Sequence, residues 1–156
     1  MKPYLPKLLA GAALAALAAP ASWALEMAIQ NNQALSFGSF VAGSGGSVTV
    51  GTSGVRSASG GVLLIPSSAG AAAAFTVSGD ANATYTIQLP GNDFVKLSGP
   101  GGDMFINEFT GSPSGAAGQL SAGGSQTLLV GATLSVASGQ VAGQYSGSFS
   151  VIVDYN

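Results

Sequence analysis

Alternation of apolar and polar residues is the feature that most constrains this fold. From residue 25 onward, apolar residues recur with a period of two, and no segment carries a convincing apolar stripe with the 3.6-residue period of a helix. Strand-like runs occupy residues 35–41, 47–50, 62–65, 74–78, 83–89, 104–109, 127–136 and 143–155. Gly, Ser, Asn and Pro separate these runs, so we expect about eight or nine short strands in an all-β sandwich or barrel.

Local chemistry refines this expectation at three points. Gly79-Asp80-Ala81-Asn82 has turn chemistry and predicts a hairpin between the runs on either side of it. Gly131 interrupts an apolar stretch and predicts a bulge or bend. Residues 69–74 have helical propensity, but we interpret them as a loop of small residues that leads into a strand. Low-complexity Gly/Ser/Ala loops are expected at residues 42–47, 51–61 and 111–125.

Composition excludes several classes of chemistry. The 156 residues include no His and no Cys, so a Ser/His/Asp triad, a Cys nucleophile and a Cys/His zinc site cannot be built. The six acidic residues are scattered, with no close pair on one strand face. The net charge of −2 lacks the basic footprint of a nucleic-acid-binding protein. We therefore expect no catalytic residue, no cofactor, no metal site and no nucleic-acid partner.

The N-terminus has the pattern of a signal peptide. Lys2 and Lys7 precede an apolar run at residues 8–19, and Ser22-Trp23-Ala24 places small residues at the −3 and −1 positions of a cleavage site. The apolar run is too short for a membrane anchor, which needs about 20 apolar residues. We predict a signal peptide at residues 1–24, cleaved between Ala24 and Leu25, with a cut after Ala21 as the alternative. The mature chain is expected to be exported and to have no membrane span.

The last strand-like run is the longest. Apolar or small residues occupy its odd-numbered positions from residue 145 onward, and polar residues occupy the even-numbered positions except for Ile152. The apolar parity comprises Tyr145, Gly147, Phe149, Val151, Val153 and Tyr155. This alternation predicts a strand with one face toward the core, and it leaves open which segment pairs with the strand's edge.

A family resemblance gives one answer. Tyr155 is the penultimate residue, and Gly143 lies fourteen positions from the end. An ending of this kind resembles that of chaperone–usher pilins. The wider pattern resembles the DUF4402 family of bacterial secreted domains, which is similar to Mat/Ecp-type and archaic pilins. The matching stretches are residues 35–38, 75–79, 84–87, 130–134 and 143–156.

The resemblance implies an immunoglobulin-like β-sandwich that lacks its final strand and is completed by donor-strand exchange. The resulting groove would lie beside a strand containing Gly143, Tyr145, Phe149, Val151, Val153 and Tyr155. A periplasmic chaperone fills such a groove first, and the N-terminal extension of the next subunit then replaces it. The implied partners are other copies of the chain or related pilins, the chaperone and an outer-membrane usher. The implied location is the periplasm in transit and then the cell surface.

Donor-strand exchange requires a donor strand, and the N-terminal segment is the candidate. Leu25, Met27 and Ile29 alternate within residues 25–34, and Asn31-Asn32-Gln33 forms a polar hinge before the sandwich domain at residues 35–156. This segment is short for a pilin extension. Two arrangements therefore remain open: donation to a neighbouring copy, against Phe149, Val151, Val153 and Tyr155, or pairing with the C-terminal strand of the same chain.

Three functional hypotheses follow from these observations. The first is a structural subunit of a fimbria or related surface fibre. The second is a stand-alone secreted or periplasmic β-sandwich that binds a ligand or partner. A carbohydrate-binding tip adhesin is disfavoured, because the single Trp, Trp23, lies in the predicted signal peptide and one domain leaves no room for a separate receptor-binding domain.

Overall fold

Antiparallel strands make up the described chain. The structure is a computed structural model that describes residues 24–156, so the predicted signal peptide lies outside the described residues except for Ala24. Twelve strands follow one another within this range: β1 (Ala28–Gln33), β2 (Phe40–Val41), β3 (Gly46–Val50), β4 (Arg56–Gly60), β5 (Leu63–Leu64), β6 (Ala73–Ser78), β7 (Thr84–Gln88), β8 (Val95–Gly99), β9 (Gly102–Ser112), β10 (Ala117–Gln119), β11 (Ser125–Val136) and β12 (Ile152–Tyr155). Residues 24–156 contain no helix, which confirms the all-β expectation. A helix long and apolar enough to cross a membrane is accordingly not found in this range.

Two larger sheets and one small ribbon organise these strands. The large sheet has the order β1-β6-β11-β3-β4, and β9 joins it on β11 with β8 beside β9. The second sheet has the order β10-β7-β12, and β2 pairs with β5 in a separate ribbon. All of these pairings are antiparallel.

Strand β11 is the centre of the large sheet. Leu129 pairs with Ala74 of β6 on one side and with Ser112 of β9 on the other. The pairing with β9 shifts register between Gly131 and Thr133, which confirms the bulge predicted at Gly131. Beyond the bulge, β11 pairs with β3 instead of β6, so one strand serves both halves of the curled sheet.

The core consists of two adjoining clusters. One contains buried residues of β3, β8, β9 and β11, among them Val48, Met104 and Leu134. The other lies between the two larger sheets and brings Val77 of β6 against Tyr85 of β7. Leu35, Phe109 and Phe149 pack against both clusters. The fold is therefore sandwich-like, with the alternating residues of facing sheets buried against each other.

The predicted hairpin around residues 79–82 is wrong. The turn itself is present, because Ala83 N donates to Asp80 O at 3.2 Å and Asn82 has φ of 59°. However, β6 and β7 do not pair with each other; they belong to different sheets that face across the core. A turn at residues 79–82 reverses the chain whether the two strands pair in one sheet or lie in facing sheets. Burial of the apolar faces of β6 and β7 against each other favours the facing sheets.

The first and the last of the predicted strand-like runs, residues 35–41 and 143–155, form shorter strands than expected. Residues 35–41 contain only the bridge at Ser36 and strand β2. In the last run, regular pairing begins only at Ile152, and Ser146 forms an isolated bridge with Ser98. Both stretches border the same open region of the sandwich.

Two of the predicted loops contain short strands. Strand β4 lies within residues 51–61, and β10 lies within residues 111–125. Residues 69–72 are non-helical and lead into β6, as predicted. The predicted loops therefore contribute edge strands, because main-chain pairing does not require an apolar side chain.

Candidate binding groove

An open groove lies between two stretches of chain that are distant in sequence. The N-terminal wall is residues 34–43, and the C-terminal wall is residues 139–149. The space between the two walls measures about 1030 Å³. The groove occupies the region where the strand pattern is incomplete, beside the segment predicted to border a groove.

The floor of the groove is apolar. Val95, Met104, Ile106 and Leu134 line it, and each of these side chains is buried in the first core cluster. Among the described residues, no Asp, Glu, Lys or Arg lines the groove. An occupant would therefore meet apolar side chains at the floor and uncharged polar or main-chain groups at the rims.

Arg56 fixes the N-terminal wall. Its Nη1 donates to the main-chain oxygens of Phe37 (2.8 Å) and Ser39 (3.1 Å). Its Nη2 donates to the main-chain oxygens of Ile65 (2.9 Å) and Ser68. One planar guanidinium thus joins the wall to the segment after β5, in addition to the short ladder between β2 and β5.

Tyr145 fixes the C-terminal wall. Its hydroxyl donates to Val141 O at 2.7 Å and accepts from Gly101 N and from Gln140 Nε2, each at 3.0 Å. The Ser146 and Ser98 main chains exchange two hydrogen bonds of 2.9 and 3.1 Å. The wall is therefore attached to β8 and to the loop after it, and its other edge faces the groove.

The two walls have little direct connection. Within residues 24–156, one main-chain hydrogen bond joins them, from Gly139 N to Gly43 O at 3.2 Å. Phe149 is the last residue of the C-terminal wall. The centroid of its ring lies 5.1 Å from that of Phe109 and 6.3 Å from that of Phe75. Between these two points the walls form no ladder with each other, so the edges remain available to a further strand.

The predicted groove strand is divided by the structure. Gly143, Tyr145 and Phe149 line the groove. Val151 and Val153 lie beyond it and pack against the second core cluster. Tyr155, also beyond the groove, is 37% exposed. The large odd-numbered side chains of this segment, Tyr145, Phe149, Val151 and Val153, are half-buried. The even-numbered residues between them are exposed, as the alternation predicted.

The predicted donor segment pairs within its own chain. Strand β1 pairs with β6, with Ile29 opposite Val77. Met27 and Ile29 pack against the second core cluster, where Val151 and Val153 also pack. Leu25 remains 64% exposed, although its main-chain oxygen accepts a hydrogen bond from Tyr155. The segment therefore pairs in cis, but with β6 and not with the C-terminal strand as the sequence alternative predicted, because β12 pairs with β7. Donation to a second copy stays a prediction.

Sequence reasoning missed the N-terminal wall and its clamp. Residues 35–41 were expected to form a regular strand, and Arg56 was assigned no role. A signal was available: Arg56 is the one arginine in the sequence and lies in a Gly/Ser-rich stretch that otherwise lacks charge. An isolated guanidinium in such surroundings finds its acceptors among main-chain carbonyls.

Comparison with known proteins identifies a family. The sequence model described as "Domain of unknown function (DUF4402)" matches residues 27–155, which is nearly all of the described chain. No curated protein and no solved structure gives a significant match.

Proposed function

This chain belongs to the DUF4402 family, and from that premise we propose that it is a structural subunit of a fimbria or related surface fibre. In this proposal the protein is not an enzyme. Its copies polymerise by donor-strand complementation, in which each copy adds a strand to the incomplete edge of its neighbour. A periplasmic chaperone and an outer-membrane usher act on the exported chain before it reaches the cell surface.

The groove between residues 34–43 and 139–149 is the observation that carries this proposal. Its floor is apolar, and one main-chain hydrogen bond connects its walls within the described chain. A strand inserted there would bury alternate side chains on the floor and pair its main chain with an open wall. Because such an edge is also a site of uncontrolled association, a dedicated strand that covers it removes the hazard.

Residues 25–33 are the proposed donor. In extended form these nine residues span about 30 Å, which is long enough to cover most of the eleven-residue C-terminal wall at residues 139–149. Leu25, Met27 and Ile29 present three apolar side chains on one face. Each large apolar side chain that becomes fully buried contributes about 1.5–3 kcal/mol before ordering costs are subtracted. Head-to-tail donation makes a heterologous contact, which grows into an open-ended filament.

Donation requires β1 to leave β6 of its own chain. Five residue pairs join these strands, and their register shifts between Asn31 and Gln33. The shift coincides with the polar hinge predicted at residues 31–33. In the proposed mechanism the segment swings about this hinge, and new strand pairing in the neighbour's groove replaces the pairing that β1 loses with β6.

The cis pairing of β1 supports a second candidate function. A chain that supplies its own first strand could act as a stand-alone secreted β-sandwich, and the groove would then bind a ligand or partner. Its volume of about 1030 Å³ lies at the upper end of the range of small-molecule sites. The two functions differ in whether β1 must be released.

A reversible cross-link of β1 to β6 tests the fibre proposal. Ala28 pairs with Ser78, and the chain has no natural cysteine, so Ala28→Cys with Ser78→Cys offers one specific disulfide. Assembly of the purified protein is followed by light scattering and electron microscopy. We expect the oxidised double variant to remain monomeric and the reduced form to assemble, with the two single variants as matched controls. Equal assembly of the oxidised and reduced forms would contradict release of β1, and absence of assembly in every form would favour the stand-alone function.

A further inference from the structure

Leu25 is held through both of its main-chain polar groups. Its nitrogen donates to Asp80 Oδ1 at 2.9 Å, and its oxygen accepts from the Tyr155 hydroxyl at 2.7 Å. The same hydroxyl accepts from Asp80 N at 2.8 Å. Three residues from distant parts of the chain therefore form a closed ring of hydrogen bonds, which we call the terminal clasp.

The clasp rests on a fixed turn. Asp80 begins the turn in which Ala83 N donates to Asp80 O, and Gly79 N donates to Gly124 O at 2.9 Å. A side chain at Gly79 would collide with the Tyr155 hydroxyl, so glycine at this position permits the close approach. The turn therefore presents the Asp80 carboxylate and the Tyr155 hydroxyl to Leu25 in a defined geometry.

The Asp80 carboxylate has no basic side chain as a partner in residues 24–156. The one salt bridge in this part of the chain joins Lys96 to Asp103. Asp80 is half-buried as a residue, and its carboxylate accepts the hydrogen bond from the Leu25 nitrogen. A positive charge at the Leu25 nitrogen would neutralise it at hydrogen-bond distance.

We propose that Asp80 and Tyr155 form a binding site for the α-ammonium group of the mature chain, which is created when the signal peptide is removed between Ala24 and Leu25. Hydrolysis adds one water across that peptide bond: Ala24 receives the oxygen as a carboxylate, and the Leu25 nitrogen becomes an amine that takes up a proton. Because a free α-amino group has a pKa of about 7.7–8.0, it is mostly cationic at neutral pH.

Processing changes the strength of the clasp. In the precursor, the Leu25 nitrogen is a neutral amide and donates a single hydrogen bond. In the mature chain it is an ammonium group, and the hydrogen bond to Asp80 becomes charge-assisted. Removal of the signal peptide therefore strengthens an attachment of Leu25 to the last strand that already exists in the precursor. The clasp belongs to the cis arrangement of a single copy, and the proposed donation of residues 25–33 would have to break it.

The start of the mature chain is the first test. The full-length precursor is exported, and the mass of the purified product is measured. We expect a chain that begins at Leu25. A product that begins at residue 22, or an uncleaved chain, overturns the proposal because no ammonium group then forms beside Asp80.

A thermodynamic cycle is the second test. The α-amine of the mature chain is acetylated near neutral pH, where it reacts before Lys96, the one lysine after residue 25. In the wild-type chain, we expect acetylation to lower Tm by about 2–4 °C, as for the loss of a partly exposed ion pair. In Asp80→Asn, we expect acetylation to leave Tm unchanged. Asp154→Asn, which makes the same charge change on exposed β12, serves as the control and is expected to keep the full acetylation effect.

The cycle separates the clasp from a general effect of the modification. Equal losses of Tm in the wild-type chain and in Asp80→Asn overturn the proposal, as does the absence of any loss in the wild-type chain. Because all melting is done on monomeric protein, these outcomes are independent of whether the chain polymerises.

Discussion

The hydroxyl of Tyr155 donates a hydrogen bond of 2.7 Å to the main-chain oxygen of Leu25, across 130 positions of sequence. This contact joins the start of the described chain to its last strand, β12. The stretches that follow Leu25 and precede Tyr155 meet again where Gly139 N donates to Gly43 O. The open groove lies between residues 34–43 and 139–149, and neither Leu25 nor Tyr155 lines it.

Loss of the Tyr155 hydroxyl should destabilise the monomer. Tyr155→Phe removes the donor to Leu25 and the acceptor for Asp80 N, while the ring remains. We expect the free energy of unfolding to fall by about 0.5–1.5 kcal/mol, since the groups left behind are partly solvated. Urea denaturation measures the change. Ser150→Ala, on the exposed parity of the same segment, is the control, and equal effects in the two variants would contradict a specific role of the hydroxyl.

Replacement of Arg56 by lysine should loosen the N-terminal wall of the groove. The guanidinium donates to four main-chain oxygens, whereas an ammonium group on a single flexible stem cannot reach all of them. We expect Arg56→Lys to lower the free energy of unfolding by about 1–3 kcal/mol. Hydrogen exchange at residues 36–41 should increase more than exchange in β11.

Lys96 provides the matched control for Arg56. It is the other basic residue of the described chain, and its ion pair with Asp103 is solvent-exposed. Lys96→Gln should leave the unfolding midpoint unchanged within error, because exposed ion pairs contribute little. A loss as large as that of Arg56→Lys would show that a change to either basic side chain destabilises the fold, and it would contradict a specific role of the four hydrogen bonds from Arg56.

The pKa of Asp103 provides a prediction about pH. Hydrogen bonds from Lys96 and then from Ser98 lower the pKa of the Asp103 carboxyl below its usual value. A carboxyl group with a lowered folded-state pKa stabilises the protein above its unfolded-state pKa, and that contribution is lost as the pH falls through the folded-state value. An NMR titration should show the Asp103 midpoint moving upward in Ser98→Ala. An unchanged midpoint would mean that the Ser98 hydroxyl does not hold the ionised form.

Alternation predicted the strands whose side chains are buried at every second position. Strand β6 buries Ala73, Phe75 and Val77, and β7 buries Tyr85 and Ile87, so their positions follow from the sequence. The half-buried parity of the last segment, including Phe149, was predicted in the same way. These elements share one cause, which is that a strand facing a core must place apolar residues on one face.

Other elements could not be predicted because their stability comes from pairing instead of side-chain burial. Strand β4 has the sequence Arg-Ser-Ala-Ser-Gly and forms an edge on β3, so its side chains carry no periodic apolar signal. The turn at Asp80 did not reveal which sheet would receive β7. The position of β1 depends on whether it pairs more favourably with β6 or with a second chain. The sequence of residues 25–34 alone does not show which pairing is more stable.

A charge placed in the groove should block assembly without unfolding the monomer. Ala142 lines the groove and is exposed in the single chain, so Ala142→Asp places a carboxylate in water. A strand that covered this wall would remove that carboxylate from water without giving it a partner, which is strongly unfavourable. We expect an unchanged melting temperature and a loss of fibres by electron microscopy. Ser150→Asp makes the same charge change on an exposed position outside the groove and should assemble normally. Fibre formation by both variants would show that the groove is not the assembly site.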